Sequence, residues 1–367
     1  MIKNFKKIVV KLGSNSIVDP KTKKIKSKWL NNLCKDIAQL HKNKKIVIVC
    51  SGAIALGSKS ISKTKLRKLE DKQAAASVGQ IELAHQWRSK FKKSKINVSQ
   101  ILLTLEDSEE RRRYLNARNT ISSLQNNNII PIINENDTVA TEEIRYGDND
   151  RLAARVAQMI EADLLILLSD VDGLYKDNPK KIKDAKKIHQ VFKIDKNIES
   201  LAKNYTSELG SGGMATKILA AKICSSNGCA TIITNSNKDF PISGINKENS
   251  TIFYPSISSN SSKKKWLLNH LNPSGSLIID NGAKNALKKD KSLLPAGILS
   301  VKGRFKSGDV ISILDLKNSK IAIGISSYDN TDVKKIIGKN SKEISKILGF
   351  TGRDEVVHKD NLVKFSA

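Results

Sequence analysis

The chain of 367 residues is longer than one typical domain, and its 39% hydrophobic content excludes a largely disordered protein. Its longest apolar runs, such as Leu164–Leu168, have the length of a strand, far below the roughly 20 residues of a membrane-spanning helix. We therefore expect a cytoplasmic protein without a membrane segment. The net charge of +28 is spread almost evenly and comes mainly from lysine, which favours a generally basic surface over a dedicated nucleic-acid site.

Short, continuous apolar runs recur through the first 235 residues and predict strands that are buried on both faces. These runs are Lys7–Leu12, Ile46–Cys50, Val98–Leu103, Ile129–Ile133, Leu164–Leu168 and Thr231–Thr234. Helix-like segments alternate with them: one capped by Ser27, then Glu70–Lys90, Ser108–Asn126, Asn149–Glu161, and Met214–Asn227 closed by Gly228. The alternation predicts an α/β fold with an open, mostly parallel sheet sandwiched by helices, and with ligands at the carboxyl ends of the strands.

The segment 258–273 breaks this rhythm, because it is rich in serine, asparagine and lysine, and we predict a linker there. Beyond it, glycine turns separate short β runs and predict a small β-rich domain with one or two helices. The runs are Ser276–Ile279, Gly297–Val301, Val310–Leu314 and Ile321–Ile325. We therefore expect one domain over residues 1–257 and a second over residues 274–367.

Two motifs after predicted strands indicate a phosphate site. Lys11 ends the first strand and Gly13 opens the turn, so that backbone N–H groups and an ammonium group can approach phosphate oxygens. Near residue 210 a glycine-rich loop enters a helix, whose N-terminus favours anions. Its residues are Gly210, Ser211, Gly212, Gly213, Met214, Ala215, Thr216 and Lys217. It is not a Walker A loop, because Thr216 precedes the lysine.

Polar clusters follow three other predicted strands. One cluster, Asn134 to Asp137, directly follows a strand, and a second, Gly147 to Asp150, begins a helix. Their mixture of amides and carboxylates suits a zwitterionic amino acid, whose ammonium group Asp137 can bind and whose polar groups Asn149 can bind. Ser51 lies in a turn that can hold a carboxylate or a phosphate. Ser169 and Asp170 follow the predicted strand Leu164–Leu168, and these two residues can line a nucleotide.

The remaining reactive residue types form no recognisable centre. The four cysteines and five histidines lack the spacing of a zinc site, and no pairing of Cys or Ser with His suggests a covalent nucleophile. Lysines and glycine turns without a nucleophile fit phosphoryl transfer, which depends on positioning and charge neutralisation. A carboxylate acceptor would need no general base, because it is already ionised at pH 7.

At these residues the chain resembles the bacterial glutamate 5-kinases, which are amino-acid kinases with a C-terminal PUA domain. The matching segments are Val9–Gly13, Val49–Ala55, Leu115–Arg118, Ile133–Asp137, Gly147–Asp150, Gly212–Met214, Thr216–Lys217, Leu293–Gly297 and Phe305–Asp309. The resemblance implies an amino-acid-kinase-like fold followed by a PUA-like domain. It also implies ATP-dependent phosphorylation of the L-glutamate side chain, with Mg²⁺, in the first step of proline biosynthesis.

The resemblance also implies roles for individual residues. Lys11 and Lys217 would neutralise the transferring phosphoryl group, and Asp150 would orient them. Glutamate would be bound by Ser51, Asp137 and Asn149, with Asn134 nearby. ATP would be bound by Lys11, Ser169, Asp170, Ser211, Gly212, Gly213, Met214, Ala215, Thr216 and Lys217. No protein ligand for a metal is assigned. Feedback inhibition by L-proline, a homo-oligomer and glutamyl phosphate reductase as a functional partner are further implications.

The sequence departs from the family's usual residues at two positions, and two alternative functions are open. Asn15 and Ala215 stand where the family often has Ser, which affects nucleotide affinity rather than the reaction class. One alternative is a related kinase that acts on acetylglutamate, aspartate, carbamate or a nucleoside monophosphate. The other is an RNA-binding protein that uses the PUA-like tail and the basic surface. The tail has no Arg-rich or aromatic stripe, so glutamate phosphorylation is the favoured interpretation.

Overall fold

The computed structural model describes residues 1–61, 66, 68–140, 149–179, 182, 184–201, 213–256 and 273–365. The chain divides into two compact units, Met1–Ser259 and Asn260–Ala367. Most of the predicted linker, 258–273, lies outside the described residues. The domain limits at 257 and 274 therefore stay predictions.

The first unit contains ten strands and nine helices within its described residues. The strands are β1 (Lys7–Leu12), β2 (Lys45–Cys50), β3 (Val98–Leu103), β4 (Ile130–Glu135), β5 (Leu164–Ser169), β6 (Leu174–Tyr175), β7 (Lys187–Ile188), β8 (Gln190–Val191), β9 (Ala230–Asn235) and β10 (Ser250–Phe253). The helices are α1 (Ser14–Ile17), α2 (Ser27–His41), α3 (Ala53–Ile61), α4 (Leu69–Lys92), α5 (Leu105–Glu109), α6 (Arg111–Asn126), α7 (Asn149–Met159), α8 (Lys196–Leu201) and α9 (Met214–Ser226).

Eight of these strands form one sheet in the order β3-β4-β2-β1-β5-β9-β10-β8. The first six strands in this order, β3, β4, β2, β1, β5 and β9, are mutually parallel. The next strand, β10, pairs with β9 in the antiparallel direction. The strands β6 and β7 form a separate antiparallel hairpin. The predicted mostly parallel α/β sheet is thereby confirmed. The parallel strands end at a common edge, where the predicted phosphate and amino-acid motifs begin.

Two hydrophobic cores pack against opposite faces of the large sheet. Alternate residues of β1 point to opposite faces, so Val9 lies in one core with Ile218, while Val10 lies in the other with Leu33. Every residue of β5 is buried, as expected for a strand with helices on both sides. The alternation has a consequence for the site, because it directs Lys11 towards the face that carries Val9.

The second unit has its own sheet and its own core. Its strands are β11 (Gly275–Ile279), β12 (Ile298–Gly303), β13 (Val310–Leu314), β14 (Lys320–Ile325) and β15 (Leu362–Lys364), in the order β12-β11-β13-β14-β15. Its helices are α10 (Asn281–Lys288), α11 (Asn330–Ile336) and α12 (Ile344–Leu348). A single cluster of apolar side chains fills the core of this unit. The prediction of a small β-rich domain with short helices is confirmed.

Two predicted helix details differ from the structure. Ser27 is the first residue of α2 rather than its cap, and the preceding Lys26 makes no side-chain capping bond. The predicted helix Ser108–Asn126 is two helices, because Thr104 caps α5 with a capping box and Glu110 caps α6. No helix in the described part of the chain combines the length and apolarity that a membrane crossing needs.

Candidate active site

Three charged side chains from three different elements meet at the carboxyl edge of the sheet. Lys11 Nζ lies 2.5 Å from Asp150 Oδ1, and Lys217 Nζ lies 3.2 Å from Asp150 Oδ2. Lys11 comes from β1, Asp150 from the first turn of α7 and Lys217 from the first turn of α9. All three side chains are buried, Asp150 almost completely. We name Lys11, Asp150 and Lys217 the lysine–aspartate triad.

The ionisation of Asp150 depends on its two lysine partners. Burial is the largest single influence on this carboxyl group and raises its pKa, but the charges of Lys11 and Lys217 lower it. Hydrogen bonds from Lys11 and Thr216 act in the same direction, and the pKa is held well below its ordinary value of 3.8. Asp150 is therefore a carboxylate at neutral pH, and the triad carries a net charge of one positive unit.

The N-terminus of α9 lies beside the triad. Gly213 is the cap residue of α9 and makes no side-chain capping bond, so the first N–H groups of the helix are left to other acceptors. The Thr216 hydroxyl lies 2.8 Å from Gly213 O and 3.0 Å from Asp150 Oδ2. Thr216 therefore contacts the triad directly, although the sequence placed it only among nucleotide-binding residues. The side chain of Met214 is buried in the core, and Ala215 is exposed.

The turn after β1 leaves open space next to the triad. A Cβ atom added to Gly13 would meet no heavy atom within 4 Å. The turn is fixed from behind, because Lys26 Nζ donates to Asn15 O at 2.7 Å and Ser16 Oγ donates to Ser236 Oγ at 2.9 Å. An anion can therefore approach the backbone of Gly13 without displacing a side chain of this turn.

Asn149 connects the start of α7 to the turn after β2. Its Nδ2 donates to Ser51 Oγ at 2.5 Å and to Cys50 O at 3.3 Å. Its Oδ1 is buried and has no hydrogen-bond partner among the described residues. The next glycine, Gly52, has a φ of +117°, a conformation that other residues rarely adopt. A buried acceptor without a partner is unfavourable unless a ligand supplies a donor.

The other predicted amino-acid-binding residues lie at the end of β4. Asn134 is buried, and its Nδ2 donates to Gln80 Oε1 at 2.6 Å. Gln80 was not among the residues predicted from the sequence, since it lies on α4, far from every motif. Asp137 is half-buried and follows Asn134 by three residues, beyond the strand. The end of β4 thus brings Asn134 and Asp137 to the same carboxyl edge of the sheet as the triad.

Ser169 and Asp170 lie at the end of β5, the strand next to β1. Ser169 is buried and its hydroxyl donates to Asp170 Oδ1 at 3.2 Å, while Asp170 is exposed. The hairpin that follows is held by Asp172, which accepts from Lys187 Nζ at 2.5 Å and from the Tyr175 hydroxyl at 2.7 Å. These contacts hold the hairpin that follows β5, the strand that pairs with β1 and so lies beside Lys11.

Two predicted ATP-binding residues, Ser211 and Gly212, lie outside the described residues, as do Gly147 and Asp148 of the second polar cluster. Within the described ranges, no group of three or more His, Cys, Asp or Glu side chains is arranged as a metal cage.

All four cysteines are free and buried, and burial raises the pKa of the Cys50 thiol to about 12. The Cys50 thiol therefore offers no reactive thiolate at neutral pH.

Comparisons with known proteins cover both units. A model of the amino acid kinase family matches residues 6–235, and a model of the PUA domain matches residues 275–348. A protein of Pelagibacter ubique named glutamate 5-kinase is 53% identical over 367 residues, covering 99% of each chain. A protein of the same name from Paramagnetospirillum magneticum is 46% identical over 360 residues, covering 98% of this chain and 97% of its own.

A solved structure matches part of the chain at a much lower sequence identity. UMP kinase from Ureaplasma parvum is 17% identical, covers 68% of this chain and 98% of its own, and has a TM-score of 0.49.

Proposed function

The chain belongs to the amino acid kinase family, and we infer that it is a glutamate 5-kinase, which transfers a phosphoryl group from ATP to the side-chain carboxylate of L-glutamate. The product is L-glutamyl 5-phosphate, and the reaction begins proline biosynthesis. The observation that carries the reaction type is the lysine–aspartate triad at the carboxyl edge of the sheet. The full-length similarity to two proteins named glutamate 5-kinase supports the assignment of glutamate as the substrate.

The triad is assigned the role of charge neutralisation. During transfer, negative charge lies on the phosphoryl oxygens between the attacking carboxylate and the leaving ADP. Lys11 and Lys217 supply two fixed ammonium groups, and Asp150 reduces their mutual repulsion while holding them in place. Because these groups are buried, their field is less screened than it would be in water. No proton has to move, since the acceptor carboxylate is already ionised.

Glutamate is assigned to the region next to the hydrogen-bonded pair of Asn149 and Ser51. The buried Oδ1 of Asn149 is an acceptor suited to the ammonium group of an amino acid, and the N–H groups of the Ser51 turn suit a carboxylate. Asp137 and Asn134 are assigned to the same substrate because they follow β4 at the same edge. Gln80 orients Asn134 through their 2.6 Å hydrogen bond.

ATP is assigned to the end of β5 and the start of α9. The N–H groups at the α9 N-terminus and the open turn at Gly13 are suited to phosphate oxygens. Ser169, Asp170 and the loop from Ser211 to Lys217 would line the nucleotide. Mg²⁺ would reach the site on the nucleotide phosphates, since Asp150 is already engaged by two lysines and the described residues form no cage. This ion would neutralise phosphate charge when bound.

Other features follow only from the family resemblance and are proposed on that basis. They are feedback inhibition by L-proline, a homo-oligomer, coupling to glutamyl phosphate reductase, and a cytoplasmic location. The RNA-binding alternative has one supporting observation, the PUA match over residues 275–348. Filter binding of RNA at increasing salt would detect it, because phosphate contacts produce a salt-dependent affinity.

The substrate is tested by ADP release with a panel of acceptors. We expect ADP to form from ATP with L-glutamate, and not with acetylglutamate, aspartate or UMP. Turnover with one of the other acceptors and none with glutamate would contradict the assignment. Adding L-proline to the same assay tests the proposed feedback inhibition.

A further inference from the structure

A cavity of about 440 Å³ lies at the amino ends of β1 and β2, at the opposite end of these strands from Lys11. Its walls come from the start of both strands and from the ends of α2 and α6. The lining residues are Lys6, Lys7, His41, Lys42, Asn43, Lys44, Lys45, Ile46, Gln125 and Asn128. Five of the ten are lysines, and none is acidic. The proposed kinase reaction uses none of these residues.

Three of the five lysines are already engaged by neutral acceptors. Lys44 Nζ donates to Lys3 O at 2.8 Å and to Phe5 O at 2.6 Å. Lys45 Nζ donates to Asn126 Oδ1 at 2.8 Å, and Lys7 Nζ donates to Ile160 O at 3.3 Å. These contacts satisfy acceptors but do not cancel the positive charge.

The ammonium groups of Lys6 and Lys42 make no hydrogen bond or ion pair with the residues that the structure describes. Asp163 accepts from the backbone N–H groups of Lys6 and Lys7, each at 2.8 Å, and does not line the cavity. The cavity therefore keeps an excess of positive charge.

Two polar atoms in the wall are buried without a partner. Gln125 is 7% exposed, and its Nε2 has no acceptor among the described residues. His41 Nε2 lies 3.2 Å from Asn128 O, while its Nδ1 is buried and also has no partner in the described structure. Nε2 of Gln125 is an amide donor and needs an acceptor. This buried donor and the unpaired ammonium groups beside it are suited to an anionic acceptor.

We propose that this cavity binds a small molecule that carries two or more anionic groups, either phosphates or carboxylates. The volume lies in the usual range of small-molecule sites. The carbonyl ends of α2 and α6 would by themselves disfavour an anion, but the five lysines supply the larger, opposite charge. Phosphates and carboxylates share this chemistry, and two probes separate them: pyrophosphate and citrate.

Calorimetric titration of the full chain tests the proposal, with saturating ADP present to occupy the nucleotide site. The Lys6→Ser/Lys42→Ser variant removes the two unpaired ammonium groups. The matched control, Lys59→Ser/Lys93→Ser, removes the same charge from two exposed positions that do not line the cavity. Gln125→Leu removes the orphaned donor at similar volume, and thermal unfolding shows whether each variant is folded.

We expect the wild-type chain to bind at least one probe, and the Lys6→Ser/Lys42→Ser variant to bind it at least tenfold more weakly. The control pair should bind like the wild type, and Gln125→Leu should bind several-fold more weakly without a lower melting temperature. The proposal is overturned if neither probe binds the wild type, or if the control pair loses as much affinity as the cavity pair. It is also overturned if Gln125→Leu and the cavity pair both bind like the wild type.

Discussion

At the scale of single residues, Asp150 organises the site. Lys11 and Asp150 lie 139 residues apart in sequence, and Asp150 and Lys217 lie 67 residues apart. Lys11 nevertheless ends a predicted strand, and Asp150 and Lys217 lie in the first turns of predicted helices. Strand and helix prediction therefore placed all three at the same edge of the sheet. The pairing distances did not follow from pattern, because they depend on the side-chain alternation of β1 and on the angle at which α7 and α9 approach it.

Lys217→Ala should reduce turnover strongly while the protein remains folded. Removing one preformed group that stabilises transition-state charge typically lowers kcat by about 10²–10³-fold. Lys222→Ala is the matched control, since Lys222 lies on the same helix and its side chain is exposed. ADP release with glutamate measures both variants. Equal activity of the two would remove Lys217 from the proposed mechanism.

Asp150→Asn should destabilise the protein in a pH-dependent manner. The pKa of Asp150 is lowered in the folded state, so its carboxylate contributes stability above the unfolded value of 3.8, and this contribution is lost as the pH falls below that value. The difference in unfolding free energy between wild type and variant should therefore shrink by about 1 kcal/mol between pH 6 and pH 3. Urea unfolding at both pH values measures it, and a constant difference would contradict the account.

At the scale of elements, the crossing of α3 and α4 positions the Ser51 turn. A Cβ atom added to Gly57 would lie 1.9 Å from Ala75 O, and one added to Gly79 would lie 1.9 Å from Ala53 O. The two helices therefore touch backbone to backbone at two glycines. Since Ala53 begins α3 directly after Ser51 and Gly52, any separation of the helices displaces that turn.

Gly79→Ala should weaken both stability and glutamate binding. The added methyl group clashes with backbone that cannot rotate away, and overpacking of this kind costs about 1–3 kcal/mol. We expect a lower melting temperature than that of the wild type. The KM for glutamate should rise more, relative to its wild-type value, than the KM for ATP. Ser77→Ala, an exposed position on the same helix, is the control. An unchanged KM for glutamate would show that the crossing does not position the Ser51 turn.

Several elements could not be predicted from local pattern. The strand β10, Ser250–Phe253, is four residues long and pairs with β9 in the antiparallel direction, so only the pairing defines it. The hairpin β6–β7 joins residues more than ten positions apart and depends on the contacts of Asp172. The break between α5 and α6 was missed because the charged residues around Glu110 read as one continuous helix. Long apolar strands such as β1 and β5 were predicted to within one residue.

At the scale of the whole molecule, the two units have separate cores. Among the residues that the structure describes, no buried member of the second unit's cluster belongs to either core of the first. The net charge of +28, which first suggests nucleic acid, includes two local groups of lysines in the first unit. One is the lysine–aspartate triad at the carboxyl edge of the large sheet, and the other is the lysine-lined cavity at the amino edge.

A truncated chain of residues 1–257 should fold and retain glutamate-dependent ADP release, because its two cores are complete without the second unit. Cooperative thermal unfolding and the ADP assay measure the two properties. A truncated chain that folds but lacks activity would show that the second unit contributes to the site. Loss of cooperative unfolding would show that the units are not independent.

The acceptor in the proposed reaction is the side-chain carboxylate of glutamate, and trapping the product with hydroxylamine tests this assignment most directly. An acyl phosphate reacts with hydroxylamine to give a hydroxamate, whereas a phosphate ester or free phosphate does not. We expect ATP and L-glutamate to give one equivalent of the side-chain hydroxamate for each ADP, and the Lys217→Ala variant to form it far more slowly than Lys222→Ala. ADP formation without hydroxamate would contradict the account.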